Sequence, residues 1–528
     1  MSTEIKQYSQ ENWESLRKGI NTVADTVKIT FGPYGKYVII KKDFGPPLIT
    51  ADGAVVIDEI KPADEFEALG AEIQQDIARK VSAESGDGRT AAAIITKVIV
   101  NEGFKNIVAG ANAMEIRRGL ITAKEAVIKY LASVTEQNPT LEQIGQVAGI
   151  AAGDKEAGPV IAKVLAEAGK DGIVSVEESK KPGITSEVVK GFHFDRGYLP
   201  PYANSPDGGV TLQNIPFLIT DKHITESEDI APVVERLLAD GKKEMVIIAE
   251  DVSHNALTWL NQCKTKGAFI AIIIKKPGVG EDGRNQLEDL ALFTGTKVIS
   301  QTQGDVLAET PLEMLGKAGR VMSSKVRTII MSGAGNKEDV DARVVQLKTE
   351  LEKTEAELEK EKLKGRIAKL TSGVGVLKVG FATDTEHGNI KKIEDALNAA
   401  NGAGEEGVVP GGGSTLVMAS VFLDTLFLPG DQQIGVNILK KALETPMHQL
   451  AQNSGDDGGM VVAQYKIREI PGHGYNAETR HFEHLTEMGV IDSIKTVKAT
   501  IHYPVMACAT LLNAGAGIIK VKEKKADN

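Results

Sequence analysis

Gly86-Asp87-Gly88-Arg89-Thr90 is the stretch on which the reading of this chain turns. Before it, Phe66, Leu69, Ile73, Ile77 and Val81 recur at helical spacing over residues 64–84, which predicts an amphipathic helix. A second helix is expected to begin near Thr90. Two glycines between helices let the backbone approach an anion closely, and the N-terminus of the second helix offers unpaired N–H groups at the positive end of its dipole. Asp87 is a hard oxygen ligand of the kind Mg²⁺ takes together with water and substrate phosphates. The same five residues also fit an ordinary glycine turn with a solvated carboxylate, and only the rest of the chain separates the two.

At 528 residues the chain exceeds the roughly 250–300 residues over which one hydrophobic core keeps growing, so several domains are expected. Hydrophobic content of 42% and charged content of 25% are those of a globular protein. A net charge of −11, with 61 Lys+Arg against 72 Asp+Glu, argues against a general nucleic-acid binder. Aromatic content of 5% leaves little for base stacking. Cys263 and Cys508 have no CxxC spacing, so neither a zinc site nor a disulfide framework is signalled. The segment MSTEIKQYSQENWE lacks an apolar signal core and no apolar run approaches a membrane span, which predicts a cytoplasmic protein with no membrane partner.

Residues 1–133 read mostly as helices, with strands expected around 37–57 in YVIIKK, PLIT and AVVID. Ile116, Leu120, Val127 and Leu131 place a helix over 113–133. Across 190–373 short apolar runs (Phe217–Thr220, Met245–Ala249, Phe269–Ile274, Val298–Ser300) alternate with helical stretches, the pattern of an α/β layered domain. That block closes in KEDVDARVVQLKTELEKTEAELEKEKLKGRIAKL, whose Glu/Lys pairs without sustained apolar heptads predict a solvated helical hairpin rather than a coiled-coil rod. Helices dominate again from 407, and KVKEKKADN at 520–528 reads as disordered. Helical ends around an α/β middle predict a multidomain α/β fold in which a discontinuous domain carries an insertion. Gly191 and Gly373 bracket that insertion, as hinge positions or as loop glycines.

Four further segments bear chemistry. Thr30-Phe31-Gly32-Pro33-Tyr34-Gly35 is a Gly/Pro turn after an apolar helix, and Ala51-Asp52-Gly53 sets a carboxylate in a tight turn. Gly411-Gly412-Gly413 precedes the helix STLVMASVF, a second backbone anion cradle. Glu394-Asp395 opens the helical stretch EDALNAA. No GxxxxGK[ST] occurs, which excludes a P-loop NTPase on motif grounds, and no GxGxxG follows a strand. His481 and His484 lie three apart in HFEHL, a metal pair if helical and otherwise a surface pair.

LRKGINTVADTVKITFGPYGKYV, DGAVVIDEI, GDGRT, FDRGYLPPY, IIAEDV, KVG, IEDAL, EEGVVPGGG, GYNA and MGVIDSIK follow one another from about residue 10 to residue 515. In this order and spacing they resemble a group I chaperonin of the bacterial GroEL type. The resemblance implies a mostly helical equatorial ATP-binding domain (1–133 and 407–528), an intermediate hinge domain (134–189 and 374–406) and an inserted α/β apical domain (190–373) that binds unfolded clients. It implies a homo-oligomeric, heptameric ring, a co-chaperonin, and ATP with Mg²⁺, K⁺ being a further candidate cation. Thr30, Phe31, Gly32 and Pro33 match the first nucleotide loop, and Asp87 the Mg²⁺ ligand, followed at the phosphates by Gly88, Arg89, Thr90 and Ala91. Gly412, Asn476, Ala477, Glu478 and Asp492 match nucleoside-binding positions. Asp52 and Asp395 match the carboxylates that orient and activate the attacking water, Asp395 arriving from the intermediate domain. Tyr198, Tyr202, Val234 and Leu257 match client-binding positions.

The chain departs from that family at several of these places. Ala51 stands where a lysine is usual, and Arg89, Thr90 and Ala91 where three threonines are. Hydrogen bonds to charged groups are worth roughly 1.5–3 kcal/mol each, so the phosphate contacts are expected to weaken unless the Arg89 guanidinium replaces them. The alternatives for Arg89 are that it fills the pocket or turns to solvent. Ala203, Ala231, Asn261 and Gln262 replace apolar residues of the client groove, which is expected to weaken clients and co-chaperonin alike. Ser372 replaces a hinge glycine, and His448 and Asp457 occupy inter-ring contact positions. An ATP-hydrolysing folding chaperonin is one reading; a paralogue with weakened ATPase and a specialised binding or regulatory role is the other.

Overall fold

The computed structural model describes residues 2–7, 10–42, 45–169, 172–179, 181–199, 209–354, 356–380, 389–468, 470 and 472–521. Tyr202, Ala203 and residues 522–528 lie outside them. The chain divides into two compact units, Met1–Lys163 with Phe381–Asn528, and Val164–Gly380.

The first unit is built on long helices. Glu65–Ser85 forms where the apolar spacing predicts a helix: Asp64 accepts from the backbone N–H of Phe66 and Glu67 at its start, and left-handed Gly86 ends it. The next helix, Arg89–Val108, follows at once. These pack with Gln10–Val27, Ala113–Val134, Gln432–Asn453 and Ile494–Leu511 around a core that includes Leu16, Ile20, Ile99, Leu120, Leu439 and Ile501. Helix Gln10–Val27 lies so close to helix Glu65–Ser85 that a Cβ on Gly19 would collide with the Glu67 carbonyl.

Two expectations are corrected here. AVVID is no strand but part of the helix Gly53–Glu59. Asp52 caps it, Oδ1 accepting from Ala54 N at 2.8 Å, and a capping carboxylate outweighs β-branched propensity over one short turn. The strand pair that does form is Val38–Ile40 with Leu48–Thr50. The second correction concerns the C-terminal segment: Ala516–Val521 pairs antiparallel with Ser2–Gln7, so Lys520 and Val521 belong to a strand.

The second unit holds an eight-stranded mixed sheet. Its order is Ile270–Lys275, Glu244–Ala249, Val210–Ile219, Gly316–Ser323, Thr328–Gly333, Gly183–Phe194, Gly373–Gly380, Ile173–Ser179. The first three strands run parallel to one another, as do the last two, and the remaining neighbours are antiparallel. Three of the four apolar runs become strands here, buried except at Ile270, as parallel neighbours require. Val298–Ser300 instead makes an isolated bridge, Ile299 to Thr220. Gly191 and Gly373 lie inside paired strands rather than in loops, opposite Met331 and Lys190. A Cβ on Gly191 would collide with Val374, so the glycine answers to cross-strand packing.

The charged segment forms the expected hairpin of two helices, Lys337–Lys353 and Glu357–Thr371. Asp289, 1% exposed, ties it down. Its carboxylate accepts from Arg366 Nε at 2.7 Å and Nη2 at 2.9 Å, and from Arg343 Nε at 3.0 Å. Removing one partner of such a buried pair leaves an uncompensated charge. Asp289→Ala is therefore expected to cost about 3–5 kcal/mol, read as a lower urea midpoint for the second unit.

Candidate nucleotide site

The GDG turn is shaped by what its glycines touch. Gly86, at φ 75°, faces the Asp395 carbonyl so closely that a Cβ would collide with it. Gly88, at φ 91°, would place a Cβ 2.5 Å from Thr500 Cγ2. Between them Asp87 Oδ1 accepts from Gly88 N at 2.6 Å, and Ser85 Oγ donates to the Asp87 carbonyl at 3.0 Å. No side chain caps the helix that starts at Arg89, and the first-turn N–H groups of Arg89, Thr90 and Ala91 have no partner within the helix, an arrangement that suits an anion. Ala91 offers only its backbone there.

The first loop and the Asp52 turn meet this helix start. A Cβ on Gly53 would stand 2.5 Å from Thr90 Oγ1 and 3.3 Å from Thr30 Oγ1, so the three residues converge. Thr30 is buried, its hydroxyl donating to the Val27 carbonyl at 2.8 Å. Asn453 Nδ2 donates to the carbonyls of Lys28 and Phe31, holding the loop in place. Phe31 packs against the cluster that contains Met447 and Tyr475. Gly32 is left-handed at φ 82°, with Leu450 where a Cβ would go, and Pro33 is exposed.

The second glycine turn is positioned by a strand pair. Val408–Pro410 lies antiparallel to Ile491–Ser493, which sets Asp492 opposite Val409. Gly411 N donates to the Val490 carbonyl at 2.9 Å, and left-handed Gly412 and Gly413 lead into helix Ser414–Phe422. Asn476 is buried, its Nδ2 donating to Glu483 Oε2 at 2.8 Å and its Oδ1 accepting from Glu478 N at 3.0 Å. Ser454 Oγ donates to the Ala477 carbonyl at 3.1 Å. The Glu478 carboxylate is taken by Lys155 Nζ at 2.7 Å, directed to solvent.

Electrostatically the site centres on Asp87. Burial raises its pKa above the ordinary carboxylate value, the negative charge of Asp52 adds to this, and the Gly88 N–H, Arg89 and Lys392 oppose it. Burial and the Asp87 charge push Asp492 up to about 7. Burial, with a contribution from Asp87, pushes Asp395 up to about 6 against Arg89, Lys391 and the Ser82 hydroxyl. Carboxylates that repel one another in a partly buried setting are what a divalent cation relieves. Among the described residues no three His, Cys, Asp or Glu side chains converge to hold a metal alone. Mg²⁺ fits that donor set with Asp87 as its protein ligand and phosphate and water oxygens as the others.

Arg89 turns inward. Its Nη2 donates to Ser82 Oγ at 2.5 Å and lies 3.2 Å from Asp395 Oδ2, with the side chain 12% exposed. Sequence reasoning missed Ser82 and the pair Lys391 and Lys392. Nothing in the spacing identifies Ser82 as the hydroxyl that anchors Arg89.

Tyr198 and Val234 are buried in the core of the second unit, and Leu257 is partly buried against it. His481 and His484 lie on a strand, His481–His484, rather than on a helix. Three residues apart on a strand, they face opposite sides and make no metal pair.

Residues 23–522 match the TCP-1/cpn60 chaperonin family. The chain belongs to that family. Among solved structures it is similar to the chaperonin gp146 from the bacteriophage EL 2 (Pseudomonas aeruginosa), crystallised in the presence of ATP-BeFx. Sequence identity is 19%, the TM-score is 0.70, and the match covers 98% of this chain and 100% of that one. This chaperonin thus has the chaperonin fold, mostly helical with one large mixed sheet.

The raised Asp395 pKa has a stability consequence. A carboxyl that binds its proton more tightly folded than unfolded contributes stability that is fully present below its unfolded value of 3.8 and lost as pH climbs through about 6. Asp395→Asn, which keeps the neutral shape, is expected to stabilise the first unit at pH 7.5 by on the order of 2 kcal/mol, and by less near pH 5. Urea midpoints at the two pH values check it.

Proposed function

We propose that this chaperonin is a divergent group I, GroEL-like paralogue that binds and hydrolyses ATP to drive a homo-oligomeric ring, heptameric as in that group, through cycles of client binding and release. The observation that carries the proposal is the meeting of Thr30, Gly53 and Thr90 at an uncapped helix start beside Asp87, Arg89 and Asp395. In this reading the N–H groups at residues 89–91 and the Thr90 hydroxyl hold the phosphates, the turn at Thr30 to Pro33 lies beside them, and Asp87 holds the cation. Mg²⁺, when bound, neutralises charge on the transferring phosphoryl group. Asp52 and Asp395 orient the attacking water, Asp395 taking its proton as a base titrating near neutrality. Gly412, Asn476 to Glu478 and Asp492 line the nucleoside side. The equatorial, intermediate and apical divisions at 133/134, 189/190, 373/374 and 406/407 belong to the same proposal, as does a cytoplasmic site of action. No helix among the described residues is long and apolar enough to cross a membrane.

Arg89 sets the rate in this reading. It is the cation on Asp395, so the base is held by a side chain that phosphates also attract. Turnover is expected to be slow, to be abolished by Asp395→Ala with nucleotide binding retained, and to fall as pH drops through about 6. Arg89→Thr removes a charge that lowers the Asp395 pKa, so the acid limb should move to higher pH. Steady-state ATPase against pH, with calorimetric nucleotide titration and electron microscopy for rings, tests this; equal turnover by wild type and Asp395→Ala overturns it.

A second reading, a chaperonin that no longer refolds generic clients and serves a specialised binding or regulatory role, is favoured by the burial of Tyr198 and Val234 and by the polar side chains of Asn261 and Gln262. Under it, wild type suppresses aggregation of a chemically denatured enzyme poorly, and Ala231→Leu with Asn261→Val and Gln262→Val improves it. The same groove substitutions would strengthen a co-chaperonin.

A further inference from the structure

Away from the nucleotide site, the first unit holds a lysine in a costly setting. Lys124, on helix Ala113–Val134, is 8% exposed. Among the described residues, the hydrogen-bond partner of its Nζ is the thioether sulfur of Met506, at 3.6 Å. A thioether is a weak acceptor, and a buried ammonium without a carboxylate or a set of oxygen acceptors is expensive. Lys124 lines an open cleft of about 440 Å³ against helix Ile494–Leu511, with Ile128 and Ala499 supplying apolar wall.

Two of the neighbouring charges are engaged elsewhere. Lys498, also on the cleft, pairs with Glu406 at 2.9 Å, and Glu84 accepts from the Tyr503 hydroxyl at 2.6 Å. Glu125 and Lys129 are exposed at the rim, one turn apart. His502, on the cleft wall, has its pKa lowered by burial and next by the Lys124 charge, with Glu84 opposing. The local field is thus positive at the buried end and mixed at the mouth.

We propose that this cleft binds an organic carboxylate, its anionic end on the Lys124 ammonium and its hydrocarbon against Ile128 and Ala499. A single buried ammonium matches a single negative charge. Glu84 and Glu125 on the lining disfavour a phosphate dianion, and the apolar wall rewards a ligand with methylenes.

The test uses the full-length protein, titrated by calorimetry at constant ionic strength with sodium hexanoate, acetate and inorganic phosphate. Hexanoate is expected to bind wild type roughly tenfold tighter than acetate, from partial burial of four further methylenes. Lys124→Met is expected to weaken hexanoate at least tenfold, with an unfolding midpoint no lower than wild type, because it removes an uncompensated buried charge. Lys124→Arg, which keeps the cation, retains hexanoate binding and covers the case in which Lys124→Met fails to fold. Equal hexanoate binding by wild type and Lys124→Met, loss of binding in Lys124→Arg, or acetate or phosphate binding as tightly as hexanoate, each overturns the proposal.

Discussion

The close approach of two helices to a backbone without side chains is the constraint on which the first unit depends. Gly86 lets the Asp395 carbonyl touch the loop, and Gly88 lets Thr500 touch it from helix Ile494–Leu511. With a Cβ at either place the helices would move outward and the carboxylates of Asp87, Asp395 and Asp492 would separate. Burial raises the pKa of all three, and the Asp87 charge adds to the elevation of Asp395 and Asp492, since like charges interact strongly only when close and partly desolvated. The glycines thereby create the electrostatic setting that a divalent cation is suited to relieve.

Arg89 changes the character of that setting. A threonine at the same position would add a hydroxyl and no charge. The guanidinium adds a fixed positive charge that is anchored by Ser82 and engages Asp395. Because it is planar and always protonated, it holds the carboxylate in one geometry at every working pH. It also lowers the Asp395 pKa, so part of the repulsion that the carboxylates impose on one another is already offset within the chain.

Long periodic elements were legible in the sequence because period and caps agree. Glu65–Ser85 has apolar residues on one face, Asp64 at its start and Gly86 at its end. The glycine turns GDG and GGG were legible as breaks between helices, since glycine takes the left-handed φ that such turns need. Gly53–Glu59 was misread because a run of alanine and β-branched residues fits a strand as well as a helix, and only the Asp52 cap decides. The placing of Tyr198 and Val234 in the core, the inward turn of Arg89 and its hold on Ser82 depend on contacts between residues far apart in the chain. The bare lysine at position 124 does too, since its environment comes from Met506 and His502. No local pattern encodes such contacts.

The pairing of Ser2–Gln7 with Ala516–Val521 has a consequence for how the polypeptide comes to be folded as it is made. The second unit is one continuous stretch, Val164–Gly380, all of whose strands and helices are available once residue 380 has left the ribosome. The first unit draws its core from both flanking stretches, with Leu16 and Ile20 beside Leu439 and Ile501. Its early helices must wait, with apolar faces uncovered, until about the last quarter of the chain is synthesised; at typical elongation rates of about 5–20 residues per second that delay is on the order of tens of seconds. Late closure of a discontinuous unit is a high-contact-order event, so a nascent chain of this protein is itself a strong candidate for the attention of other chaperones.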